Sequence, residues 1–171
     1  MEEFKTRKSP RLQMYDYNSS GSYFITICTK DRKCILSKVV GTGVPDCPKI
    51  VLLKHGIIAE KYIHQLNEFY SYISVENFVI MPNHIHMMVF LIEGQSGTPV
   101  PTDMNRANNV LSKFVSTFKR FCNKEYGENV WQSRFNDHII RNNKDYEEHM
   151  QYIYENPARW IYDEMYEQNK L

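Results

Sequence analysis

The tightest constraint in this chain is the run at residues 70–92, YSYISVENFVIMPNHIHMMVFLI, where two β-prone stretches are separated by little more than Pro82 and Asn83. Val, Ile, Phe and Tyr dominate both, and so short a connection leaves no room for a crossover. Strands over 70–81 and 85–92 must therefore pair antiparallel. Alternate side chains of a strand face the same way. Ile85, Met87, Val89 and Leu91 thus form one uniformly apolar face, which belongs beneath helices, while His84 and His86 share the opposite face with Met88 and Phe90. Two imidazoles so placed can grip one metal ion, since neutral imidazole is the commonest metal ligand. Spacing alone equally allows two histidines bonded to backbone or water.

Around this hairpin the pattern alternates. Residues 21–30, GSYFITICTK, read as a strand, and 39–48 as a Gly/Pro loop. From 49 to 69 the positions Val51, Ile58, Tyr62 and Leu66 keep helical spacing, with Gly56 weakening the middle. A second Gly/Pro loop spans 93–105, and a helix over 108–126 carries the stripe Val110, Phe114, Phe118, Phe121. Residues 131–141 end in a short strand, and 143–156 form a helix stopped by Pro157. The order suits an α+β domain of the ferredoxin-like kind, an antiparallel sheet with helices on one face, plus an additional C-terminal helix.

In that last helix, at 100° per residue, Tyr146, Met150, Ile153 and Pro157 form a core stripe. Asp145, His149, Tyr152 and Asn156 gather on a second stripe, expected nearly opposite. Tyr152 and Asn156 stack one turn apart, as a hydroxyl nucleophile beside a metal ligand would require.

Composition narrows the classes. A chain of 171 residues with 42% hydrophobic and 24% charged residues is an ordinary globular protein, expected to be a single domain over 1–171. No apolar run reaches the ~20 residues of a membrane span, and the N-terminus lacks the apolar core of a secretory signal. A cytoplasmic protein with no membrane partner is expected. Cys28, Cys34, Cys47 and Cys122 form no CxxC pair and read as reduced. Net charge +1 and pI near 7.7 argue against coating duplex nucleic acid through bulk charge. Local patches remain: Lys5, Arg7, Lys8 and Arg11 in a basic arm over about 1–12, and Lys113, Lys119, Arg120 and Lys124, which read first as solvated faces.

Taken together, MPNHIHMMV, WQSRFNDHIIRNNKDYEEHMQYIYENPARW and the opening YDYNSSGSYFITICT resemble the single-tyrosine HUH transposases, most closely the REP-associated tyrosine transposase branch, over about residues 11–160. The resemblance implies a nuclease that cuts and rejoins single-stranded DNA beside hairpin or palindromic repeats through a 5′-phosphotyrosine. Tyr152 would be the nucleophile, and His84, His86 and Asn156 the ligands of Mg²⁺ or Mn²⁺. Two imidazoles and an amide bring no negative charge, so DNA phosphate would have to supply the anionic ligands. His138 and His149 are auxiliary candidates. Arg134, Arg141 and the N-terminal arm are candidate phosphate contacts on single-stranded or hairpin DNA. Exchange of one phosphodiester for another needs no ATP, which accords with the lack of a phosphate-loop motif. The resemblance leaves open whether the chain works alone or as a homodimer. Two rivals remain: a catalytically silent DNA-binding module descended from a transposase, and a histidine-triad hydrolase, whose third alternate histidine is here Met88.

Overall fold

The computed structural model describes residues 20–41, 48–92, 110–163 and 165–166. Strands β4 (Ile73–Ile80) and β5 (His84–Leu91) form the expected hairpin, with Val79 opposite His86 and Ile80 opposite Ile85. β1 (Gly21–Cys28) lies antiparallel along the other side of β5, setting Thr26 opposite His86 and Cys28 opposite His84. β6 (Asn136–Ile139) closes the far edge of β1, giving the order β4-β5-β1-β6. The histidine strand is therefore internal, and what lies above each of its faces decides the environment of its side chains.

One face is the apolar face read from alternation. Ile85, Met87 and Val89, with Tyr23, Ile25 and Ile27 of β1, pack beneath α1 (Lys54–Phe69) and α2 (Val110–Tyr126). Ile63, Leu66, Phe114 and Phe118 fill the layer between. Each such side chain contributes about 1.5–3 kcal/mol on burial. This is the ferredoxin-like α+β arrangement. The opposite face carries Phe24, Val79 and Met88, covered by Ile153 and Trp160 from α3 (Asn143–Arg159) and the turn that follows it. α3 starts at Asn142, whose side-chain oxygen accepts from the Asp145 N–H at 2.9 Å.

Four local expectations are corrected. Residues 49–52 are not helical: β3 (Lys49–Leu52) pairs with β2 (Ser37–Val40), and Val51 is exposed. Ile50 and Val51 favour a pleated strand once a partner is present, and that partner lies across a Gly/Pro loop where local periodicity could not reveal it. Gly56 is required rather than weak, because a Cβ there would lie 2.1 Å from the Leu36 carbonyl oxygen. That carbonyl is held in place by accepting from Leu53 N–H at 2.8 Å. Pro157 does not stop α3, which runs to Arg159 before a 3₁₀ turn over Trp160–Tyr162. A proline so near the C-terminus forfeits a single intrahelical bond. Finally, the two stripes of α3 are neighbours about 100° apart, not opposite. Both face the sheet, so Asn156 is as buried as Ile153.

Among the described residues no helix is long and apolar enough to cross a membrane, and Cys28, Cys34 and Cys122 are free thiols. Cys47, the basic arm with Lys5, Arg7, Lys8 and Arg11, and most of the two Gly/Pro loops lie outside the described residues.

Candidate functional site

His84 and His86 are 0% and 2% exposed, so their nitrogens have no bulk water to turn to. Each ring is fixed through Nδ1. That of His84 lies 2.8 Å from Asn83 Oδ1, and that of His86 lies 2.8 Å from the Oγ1 of its cross-strand neighbour Thr26. An amide oxygen can only accept, so His84 carries its proton on Nδ1 and keeps the Nε2 lone pair. The Nε2 atoms of both rings, and Oδ1 of Asn156, are buried without a hydrogen-bond partner. A buried polar atom left in that state costs about 1–3 kcal/mol. Three of them where sheet and helix meet make a donor set that could hold a cation.

Burial is the leading influence on both rings. It pulls His84 from 6.5 down to about 4, with Asp163 opposing and Arg32 reinforcing the drop. It pushes His86 well below the usual histidine range, helped by His84 and His149. Both imidazoles are therefore neutral near pH 7, as ligands must be.

The structure adds Asp163, which the sequence reading missed. One of its carboxylate oxygens and a nitrogen from each of His84 and His86 lie within 4.8 Å of one another. Asp163 Oδ2 also accepts from Asn156 Nδ2 and from the Tyr152 hydroxyl, each at 3.3 Å. The segment is anchored where Met165 N–H donates to Asp163 Oδ1 at 2.7 Å and Asn83 Nδ2 donates to the Met165 carbonyl at 2.7 Å. Two helical turns separate Asn156 from Asp163, a spacing legible in the sequence only if the helix is carried past Pro157. Asp163 would add a negative charge to the uncharged set of His84, His86 and Asn156. Two imidazoles, an amide oxygen and a carboxylate fit a mixed nitrogen–oxygen site for Mn²⁺ or, less readily, Mg²⁺.

Tyr152 stands beside this group, 38% exposed, its ring 5.2 Å from that of His86. A cavity of about 330 Å³ opens next to it, lined by Phe24, Thr26, His86, Glu148, His149, Tyr152 and Met165. His149 thus faces the same space as Tyr152. His138 stacks on the far side of His149, with centroids 4.5 Å apart and planes at 16°. Asp145 clamps the pair: its carboxylate oxygens lie 3.0 Å from His138 Nε2, and His149 Nδ1 donates to its backbone carbonyl at 2.8 Å. A metal lies in the plane of each imidazole that binds it. Stacked, nearly parallel rings share no such point, so this trio is a clamp rather than a second metal site.

Arg134 and Arg141 are exposed, and neither lines the cavity. Arg141 contributes its backbone N–H, which donates to Asp145 Oδ2 at 3.0 Å. In the second basic cluster Lys119 is structural rather than solvated. Its ammonium donates to the carbonyls of Gln132 at 2.8 Å and Arg134 at 3.1 Å, and burial lowers its pKa to about 8.

A ferredoxin-like sheet with a histidine pair on its far face, under a helix bearing a tyrosine, defines the class: the chain has the fold of a REP-associated tyrosine transposase. A solved protein of that kind, bound to a REP hairpin, superposes with a TM-score of 0.58 at 23% identity, covering 93% of this chain and 74% of that one. No family model matches the chain. The REP-associated tyrosine transposase of Escherichia coli K12 is 28% identical over 147 residues, 85% of this chain and 72% of the relative. An uncharacterized Haemophilus influenzae protein is 30% identical over 173 residues, 94% of this chain and 93% of the relative. The chain belongs to the REP-associated tyrosine transposase-like family.

Proposed function

We propose that the protein is a metal-dependent, single-stranded DNA transesterase that nicks and rejoins DNA beside hairpin or palindromic repeats. One observation carries the reading: three partnerless ligand atoms, on His84, His86 and Asn156, are buried beside a half-exposed tyrosine hydroxyl. The transposase named among its relatives, and the hairpin bound by its structural neighbour, supply the substrate class.

His84, His86, Asn156 and Asp163 would hold Mg²⁺ or Mn²⁺, which when bound supplies Lewis-acid polarisation and orientation of a phosphate. The remaining work falls to the chain itself. Asn83 and Thr26 hold the two rings with Nε2 presented, and α3 sets Tyr152 one turn from Asn156. The hydrogen bond from its hydroxyl to Asp163 aligns the phenol oxygen, which is a weak nucleophile while protonated. Tyr152 Oη attacks phosphorus, the bond from phosphorus to the 3′ oxygen breaks, and that oxygen leaves as a hydroxyl. The 3′ fragment stays on the enzyme through a 5′-phosphotyrosine. The 3′-hydroxyl of a second strand then attacks the same phosphorus, the bond to Tyr152 breaks, and the phenol regains its proton. One phosphodiester replaces another, so no nucleotide triphosphate is consumed.

The test is a 3′-labelled hairpin oligonucleotide with single-stranded flanks, incubated with Mn²⁺. Label should migrate with the protein after denaturation, and Tyr152→Phe should abolish that species. Hairpin binding with no covalent species in any divalent ion refutes the transesterase and leaves a DNA-binding module.

A further inference from the structure

The cavity beside Tyr152 is more than an approach to the hydroxyl. Phe24 forms its floor, its ring 5.0 Å from that of His86 at 23° and 4.7 Å from that of His149. Tyr152 meets Phe24 edge-on at 6.0 Å. His149 cannot swing away, because His138 backs its ring and its Nδ1 is committed to the Asp145 carbonyl. Rigid aromatic walls on a small cavity suit a flat aromatic guest. At about 330 Å³ the space is at the small end of ligand cavities.

The rim adds a chemical filter. Glu148 is the charged residue lining the cavity, and its carboxylate can only accept hydrogen bonds. Its ion pair with Lys144, at 3.8 Å between two exposed side chains, is weak enough to exchange. Of the four bases, guanine offers a carboxylate two adjacent donors, N1–H and the N2 amine. Thymine offers one donor between two carbonyl oxygens, which a carboxylate repels. Adenine and cytosine each set a lone-pair nitrogen beside their amine.

We infer that this cavity binds one unpaired base of the strand carrying the phosphate to be cut, and that Glu148 makes guanine the favoured occupant. The inference rests on the reading of Tyr152 as acting on single-stranded DNA. It assigns Phe24, His149 and Glu148 to substrate selection rather than to the exchange itself. Sequence preference at the cut would then be read partly by the protein, within reach of the nucleophile.

Met165 also lines the cavity and serves as the reporter. Full-length Tyr152→Phe protein labelled at methionine methyls, with the Met165 signal assigned through Met165→Leu, is titrated with d(TTGTT), d(TTTTT) and d(TT-abasic-TT). The expected result is an upfield ring-current shift of Met165 with d(TTGTT), absent with the abasic strand. Affinity for d(TTGTT) should exceed that for d(TTTTT) roughly tenfold. Glu148→Gln should erase that preference, weakening d(TTGTT) binding while leaving that of d(TTTTT) equal or tighter, since the carboxylate no longer repels thymine. A Met165 signal indifferent to d(TTGTT), a preference that survives Glu148→Gln, or no binding of any strand overturns the proposal. A Met165 response without covalent product in the unsubstituted protein removes the transesterase and leaves the base site standing. Covalent product without a Met165 response does the reverse.

Discussion

Lowering the pH of the metal-free protein tests the burial of the histidine pair directly. His84 is protonated near 6.5 in an unfolded chain but only near 4 in the folded one, because charging it means charging a fully buried ring. Between those values the unfolded state binds the proton and the native state does not, so stability falls as pH falls. Above 6.5 the neutral ring costs nothing in either state, and below about 4 both states are protonated and the effect levels off. At 1.36 kcal/mol per tenfold change in proton affinity, the full loss from His84 is on the order of 3 kcal/mol. His86 adds a loss of the same sign. The charged and titratable groups acting on the pair are Asp163, Arg32 and His149, so the clean comparison is with a variant lacking the buried ring. Urea unfolding with chelator present, at intervals from pH 7.5 to 4.5, should show wild type losing stability faster than His84→Gln, with most of the divergence between pH 6.5 and 4.5. Parallel curves for the two proteins would mean that the ring reaches water in the native state, and the argument for a buried ligand set fails with it.

Two further substitutions probe the scaffold and the added carboxylate. Gly56→Ala should destabilise by about 2 kcal/mol or more in urea melts, since its Cβ would drive into the Leu36 carbonyl, whereas helix propensity alone predicts a gain of about 1 kcal/mol; an unchanged or raised midpoint refutes the close approach. Asp163→Asn should weaken Mn²⁺ binding at least about tenfold by calorimetry, and an unaltered affinity would remove Asp163 from the ligand set.

What could be read without coordinates was whatever depends on neighbours in sequence. The short connection around Pro82-Asn83 compels a hairpin, and strand alternation separates the histidines from the core face. Helical spacing sets Tyr152 one turn from Asn156. The β2–β3 pair was hidden because its stabilisation comes from a partner outside any local window. Asp163 was hidden because a helix read as ending at Pro157 cannot carry the chain two more turns along the same face.

Tertiary structure decided which face of the sheet receives α3. Both stripes of that helix carry groups that could be buried, and nothing within residues 143–159 says against what. The choice falls to Ile153 and Trp160 meeting Phe24, Val79 and Met88, on the face that α1 and α2 leave open. That contact brings Asn156 and Tyr152 over the imidazoles. The residue types of the site were thus present in the sequence from the start, while their convergence depended on packing between segments more than sixty residues apart.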